Sequence, residues 1–156
     1  MSFSISGKTA IVTGAANGLG LAIARHLASK QANVMFADID EARLEDEVGE
    51  EARAEGQIRM FAGDLTERLT ISNLLSATID AFDRVDILVN ASRKMRVSDV
   101  LNPDADGVEE LWDQNLLTAL RMTQMTAKRM IQHGQRGQVE AGTMLGSIIN
   151  ISSITA

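Results

Sequence analysis

A short β-branched run, Thr9-Ala10-Ile11-Val12, leads directly into Thr13-Gly14-Ala15-Ala16-Asn17-Gly18-Leu19-Gly20. Beyond it Leu19, Ile23 and Leu27 recur at helical spacing with alanines between them. No other feature constrains the fold as tightly. Strand, glycine turn and helix in that order form the context in which a dinucleotide-binding fingerprint carries weight. Glycine lets the chain turn sharply off a strand and lets a phosphate approach with no Cβ in the way. The following helix aims unpaired N–H groups and the positive end of its dipole at that phosphate.

The glycines are spaced Gly-x-x-x-Gly-x-Gly, and taken alone they fit a tight βα turn equally well. A second apolar strand, Asn33-Val34-Met35-Phe36-Ala37, adds to them because it ends in Asp38. An acid about 20 residues past the glycines stands where a βαβ nucleotide fold meets the adenosine ribose hydroxyls. It would repel a 2′-phosphate, and Asn17 and Ile39 supply no offsetting cation, so NAD is expected rather than NADP. The bland role for Asp38 is an N-cap for a helix starting near Glu41. Asp40 is an equally good candidate for the cap, and the two acids can divide the two jobs.

Along the chain, strands are expected near 8–13, 33–38, 58–62, 86–90 and 147–152. Helices are expected near 18–30, 41–55, 67–82 and 107–133. Such alternation predicts an α/β fold, a doubly wound parallel sheet with helices on both faces, forming one dinucleotide-binding domain over 1–156. The charged run from Glu41 to Glu55 fits a solvated helix face. Thr66 with Glu67, and Thr70 with Asn73, are alternative starts for the third helix. In the last helix Val108, Leu111, Trp112, Leu116, Ala119 and Leu120 form an apolar stripe, with Met122, Met125 and Met130 further on. Core or interface packing is the ordinary use of such a stripe.

The segment 13–20 together with Asp38 resembles the short-chain dehydrogenase/reductase family, in its small single-domain branch. Further matches follow in order across the whole chain. Asp64-Leu65, after Arg59-Met60-Phe61-Ala62, resembles the family's adenine-contacting acid and apolar neighbour. Leu88-Val89-Asn90-Ala91-Ser92 resembles its Asn-Asn-Ala-Gly segment, with Val89 and Ser92 departing from the pattern. Ser92 sets a side chain where the family's backbone passes close to the cofactor. Asn115 matches the asparagine whose helix opens locally to hold a water for a catalytic lysine. In Ser147-Ile148-Ile149-Asn150-Ile151-Ser152-Ser153 the last serine stands at the catalytic position. The resemblance implies a Rossmann-type fold and an NAD-dependent oxidoreductase. Hydride would pass between a nicotinamide and an alcohol or ketone substrate, and the helix over 107–133 would build a homo-oligomer. The cofactor-binding residues implied are Gly14, Asn17, Gly18, Leu19, Gly20, Asp38, Asp64, Leu65, Asn90 and Ala91, with Asn115 and Ser153 catalytic.

The family's Tyr-x-x-x-Lys should follow Ser153, but the sequence reaches Ala156 first and contains no tyrosine. The expectation is therefore an oxidoreductase of which this is the amino-terminal part. The alternatives are a non-catalytic dinucleotide-binding module and an inert fragment that associates with a partner. Arg93, Lys94 and Arg96 follow the fourth strand near the expected mouth and would favour an anionic substrate, unless they are merely solvated. The polar stretch from His133 to Gly146 is longer than that connection usually is.

Composition narrows the rest. With 45% hydrophobic and 23% charged residues the chain is of globular type. A net charge of −6 argues against nucleic acid, which needs a basic surface. No cysteine is present for disulfides or thiolate metal sites. His26 and His133, the two histidines, stand far apart, so no metal site is expected. No apolar run approaches a membrane span and the first eight residues lack signal-peptide character, so a cytoplasmic location is expected.

Overall fold

All five residues of the first strand, β1 (Thr9–Thr13), are buried, as a central strand of a parallel sheet covered on both faces requires. The computed structural model describes residues 4–54, 56–97, 101–102, 106–137 and 139–153. After β1 come α1 (Gly18–Ser29), β2 (Asn33–Asp38), α2 (Glu41–Arg53), β3 (Ile58–Ala62), α3 (Arg68–Phe82) and β4 (Ile87–Asn90). A final helical stretch holds α4 (Val108–Leu111), a π-helical segment (Trp112–Leu117) and α5 (Thr118–Arg136), before β5 (Ser147–Asn150). The strands form one sheet in the order β3-β2-β1-β4-β5, and every pairing is parallel. The chain thus winds outward from β1 through β2 and β3. It then crosses to the other side of β1 to lay down β4 and β5.

Side chains alternate across each strand, so each strand feeds two cores. On one face Ile11, Met35 and Leu88 pack with Ile71, Leu74 and Leu75 of α3 and with Met122 and Met130 of α5. On the other, Val12, Val34, Phe36 and Val89 pack with Ala24 of α1 and with Leu44 and Val48 of α2. Asp86 fixes the entry into β4. Its Oδ2 accepts the Thr9 N–H at 2.9 Å and its Oδ1 the Arg84 Nε–H at 3.0 Å.

Several boundaries differ from the sequence-based expectation. The second helix ends at Arg53 because Ala54 turns to extended backbone; Glu55 lies outside the described residues. There the Arg59 guanidinium takes the Ala54 and Gly56 carbonyls at 3.0 and 2.9 Å. The third helix begins at Arg68, and neither threonine caps it. Asp64 instead shapes its approach by accepting the Thr66 amide and hydroxyl. The last helix runs on to Arg136, which shortens the connection expected from His133 to Gly146. The apolar stripe divides into two. Met122 and Met130 are buried with Met125 packed beside them, whereas Val108, Trp112, Leu116 and Leu120 are exposed, Trp112 at 56%.

Candidate functional site

The turn after β1 is built so that backbone meets backbone. Gly14 has φ +68°, and a Cβ there would stand 2.8 Å from the Ser92 Cα and amide nitrogen. A Cβ on Gly20 would stand 2.0 Å from the Gly14 carbonyl oxygen. Gly18 contrasts with both: its φ is +52°, but open space surrounds it. Asn17 is the N-cap of α1 in extended conformation and its side chain makes no capping bond. Leu19 projects outward, 57% exposed. The first amides of α1 therefore have no side-chain acceptor from the N-cap, the arrangement that receives an anion at a helix start.

Asp38 closes the adjoining wall. Its Oδ2 accepts the Ala16 N–H at 3.0 Å and its Oδ1 the Asp40 N–H at 3.1 Å. Asp40 caps α2 by accepting the Arg43 N–H at 3.0 Å, so the cap falls to Asp40 and not to Asp38. The Asp38 carbonyl accepts the Gly63 N–H at 2.9 Å, which brings the turn carrying Asp64 alongside. The Asp64 Oδ1 is taken up by Thr66, at 2.9 Å from its amide and 2.7 Å from its hydroxyl. Leu65 is only 8% exposed and its side chain belongs to the core. From α5, Arg121 Nη1 donates to the Thr66 carbonyl at 2.9 Å and ties this turn down.

Beyond β4, the Thr13 hydroxyl accepts the Ala91 and Ser92 N–H groups at 3.1 and 3.2 Å. It joins the ends of β1 and β4 through residues far apart in sequence. Sequence reasoning gave Thr13 no role beyond its place at the head of the glycine run, which was the available signal. Asn90 is buried, and its Nδ2 donates to Asn150 Oδ1 at 2.8 Å and Thr123 Oγ1 at 3.2 Å. Its carboxamide thus binds β4, β5 and α5 together, with Ala91 next in the chain at the turn.

Asn115 lies inside the π-helical segment. Its Oδ1 accepts the Lys94 N–H at 2.7 Å and its Nδ2 donates to the Lys94 carbonyl at 2.9 Å. This pair holds the strap after β4 against the helix. Glu110 adds a second hold, accepting from Lys94 Nζ and from Arg96 Nη1, the latter at 3.0 Å. The Lys94 hydrogen bond first, and that of Arg96 second, keep the exposed Glu110 carboxyl below the usual carboxylate range. Two of the three cations expected at the mouth thus share one carboxylate within the chain, and the three groups together keep one positive charge. Ser153 is half-buried just past β5, at the same end of the sheet as Ser92 and Asp38. Gly14, Asp38 and Ala91 therefore surround one crevice, and Ser153 and Asn115 belong to its β4–β5 side.

The family model for short chain dehydrogenase matches residues 8–156. The chain belongs to the short chain dehydrogenase family. A short chain dehydrogenase/reductase of Gibberella zeae is 33% identical over 153 residues, covering 98% of this chain and 54% of that protein. D-threitol dehydrogenase of Mycolicibacterium smegmatis is 31% identical, covering 99% and 55%. The 3-oxoacyl-[acyl-carrier-protein] reductase of Thermotoga maritima is 28% identical, covering 96% and 57%. A crystal structure of a short chain dehydrogenase from Bacillus anthracis superposes with a TM-score of 0.81 at 23% identity, covering 94% of this chain and 56% of that one. That likeness establishes the Rossmann-type parallel fold. The chain spans about half the length of the short chain dehydrogenases it matches.

Proposed function

We propose that this chain supplies the NAD-binding half of an oxidoreductase that moves hydride between nicotinamide and an alcohol or carbonyl carbon. The observation that carries the reading is Asp38, fixed by the Ala16 N–H at 3.0 Å beside a glycine turn that a Cβ would fill. Its carboxylate stands ready to accept ribose hydroxyls and to repel a 2′-phosphate, which is the basis for NAD over NADP. Gly14, Asn17, Gly18, Leu19 and Gly20 surround the diphosphate in this reading. Asp64 and the Leu65 backbone flank the adenine, and Asn90 with Ala91 supports the second ribose. NAD, when bound, supplies the hydride acceptor.

Ser153 donates a hydrogen bond to the substrate oxygen as negative charge develops on it. Asn115 holds the strap in place and supports the family's lysine through water. Proton transfer falls to the family's Tyr-x-x-x-Lys pair and is assigned to no residue described here. Relatives named for a polyol and for a 3-oxoacyl group support a hydroxyl or carbonyl substrate of small-molecule size. They also favour an enzyme over a non-catalytic module or an inert fragment. The exposed row of Val108, Trp112, Leu116 and Leu120 supports a homo-oligomer formed through this helix. No helix among the described residues is long and apolar enough to cross a membrane, and a cytoplasmic location completes the reading.

The test is Ser153→Ala in the full-length polypeptide, assayed by NADH absorbance on a panel of polyols and small ketones. The expected result is a kcat lower by about 10²–10³ with unchanged NADH affinity. An unchanged kcat would overturn the role given to Ser153.

A further inference from the structure

We infer that the Ser92 hydroxyl is an additional dinucleotide-binding group, donating its proton to an oxygen on the far side of the diphosphate from the adenosine. This rests on the NAD-binding reading above and adds to it a residue where the family pattern has glycine.

Position comes first. Because β2 and β4 flank β1 on opposite sides, the winding reverses between β1 and β4. Open α/β sheets bind ligands at such a switch point, outside the carboxyl ends of the strands. Gly14 directly follows β1, and Ser92 stands just beyond β4. The two segments are in contact, since a Cβ on Gly14 would lie 2.8 Å from the Ser92 Cα. Ser92 is therefore part of the β4 wall of the crevice. Asp38 ends β2, on the opposite side of β1. A dinucleotide whose adenosine ribose sits at Asp38 and whose diphosphate sits on the glycine turn carries its other half toward β4, past Ser92.

Proton accounting supplies the chemistry. A hydroxyl has one proton to give and two lone pairs to accept with. The Thr13 oxygen accepts two amides, from Ala91 and Ser92. Its own proton reaches the Ser92 Oγ at 3.2 Å, while the Val89 carbonyl is farther at 3.5 Å. Ser92 thus accepts from Thr13 and keeps its own proton to donate. Among the described residues no acceptor bonded to that proton is found, and Ser92 is exposed. The side chain is anchored at its oxygen and has a donor directed elsewhere, which a glycine in this place cannot offer.

The experiment is calorimetric titration of the full-length polypeptide, as wild type and as Ser92→Ala, with AMP, ADP-ribose and NADH. Thermal unfolding of the ligand-free proteins runs alongside. In the alanine variant the Thr13 proton passes to the Val89 carbonyl, so the turn stays folded. AMP affinity is expected to be unchanged, while ADP-ribose and NADH bind about three- to tenfold more weakly, the effect of one lost hydrogen bond. NADH affinity equal to wild type would overturn the inference. So would an equal loss for AMP and NADH, which would mean that the hydroxyl only holds the turn. Failure of the underlying reading looks different: wild type then binds none of the three ligands, or Asp38→Ala leaves NADH affinity untouched.

Discussion

The two faces of the sheet are finished to different degrees. Under α3 and α5 the apolar layer runs unbroken from Met35 across Ile11 and Leu88 to Ile148 of β5. Under α1 and α2 it passes from Val34 and Phe36 through Val12 to Val89 and stops there. The next residues on that face, Ile149 and Ile151, are 47% and 40% exposed. β1 is buried along its whole length, whereas β5 is exposed at three of its four residues. The finished region coincides with the glycine turn, Asp38 and Asp64. The open region coincides with Ser153. In the proposed reading the cofactor contacts thus stand on strands packed on both faces, while Ser153 follows an edge strand whose second face no described element covers.

The most damaging way to break the finished side is Gly20→Ala. Its Cβ would fall 2.0 Å from the Gly14 carbonyl oxygen, and neither backbone can move without disrupting β1. A stability loss of about 3 kcal/mol by denaturant unfolding, the upper end for overpacking, is expected together with lost NADH binding. Gly18→Ala is the control, because nothing lies within 4 Å of its Cβ. It should unfold about 1–2 kcal/mol more easily from left-handed strain alone. Equal behaviour of the two variants would contradict the close approach of Gly20 to Gly14.

Asp38→Ala comes next. It removes a charged acceptor from the Ala16 and Asp40 amides and, in the proposed reading, from the ribose. NADH affinity measured by fluorescence should fall at least about tenfold, as for hydrogen bonds to a charged group. Unchanged affinity would leave Asp38 a turn-holding residue only.

The comparison itself is sharpened by Ile148→Ala against Ile149→Ala. Ile148 packs on the core and its truncation should cost about 2 kcal/mol, the lower end for such a change. Truncating Ile149 should cost about 0.5 kcal/mol, as at an exposed site. Matching losses in the full-length polypeptide would show that a further segment covers the second face of β5.

Much of this architecture was legible because it is periodic or local. The alternation of strands and helices, the glycine turn and the Asp40 cap of α2 all follow from neighbours in sequence. The π-helical segment around Asn115 was not legible from spacing, since a shift from four- to five-residue hydrogen bonding leaves the apolar row nearly intact. Nor was the exposure of Trp112 and Leu116 beside the burial of Met122 and Met130: both rows suit a helix, and only the position of the sheet decides between them. Thr13 with Ala91 and Ser92, Asn90 with Asn150, and Glu110 with Lys94 and Arg96 are tertiary pairings that no local rule announces. The burial of the Leu65 side chain in the core likewise depends on how α3 meets the sheet.

The smallest expected effect concerns the strap. Glu110 has a lowered folded-state pKa because Lys94 and Arg96 bond to its ionised form. The hold is therefore fully present above the ordinary carboxylate value of 4.5 and is lost as pH falls through the lower folded value. In an NMR titration the Lys94 and Arg96 amide shifts should have a midpoint below 4.5. A midpoint at or above that value would mean that the ion pairs do not persist in solution.

The central claim is that the crevice between β1 and β4, with Asp38 on its β2 side, binds NAD in preference to NADP. Parallel titrations of the full-length polypeptide with NADH and NADPH test it most directly. The account predicts saturable NADH binding at least about tenfold tighter than NADPH, the weight of one charged contact. Equal or tighter binding of NADPH, or no NADH binding at millimolar cofactor, would contradict it.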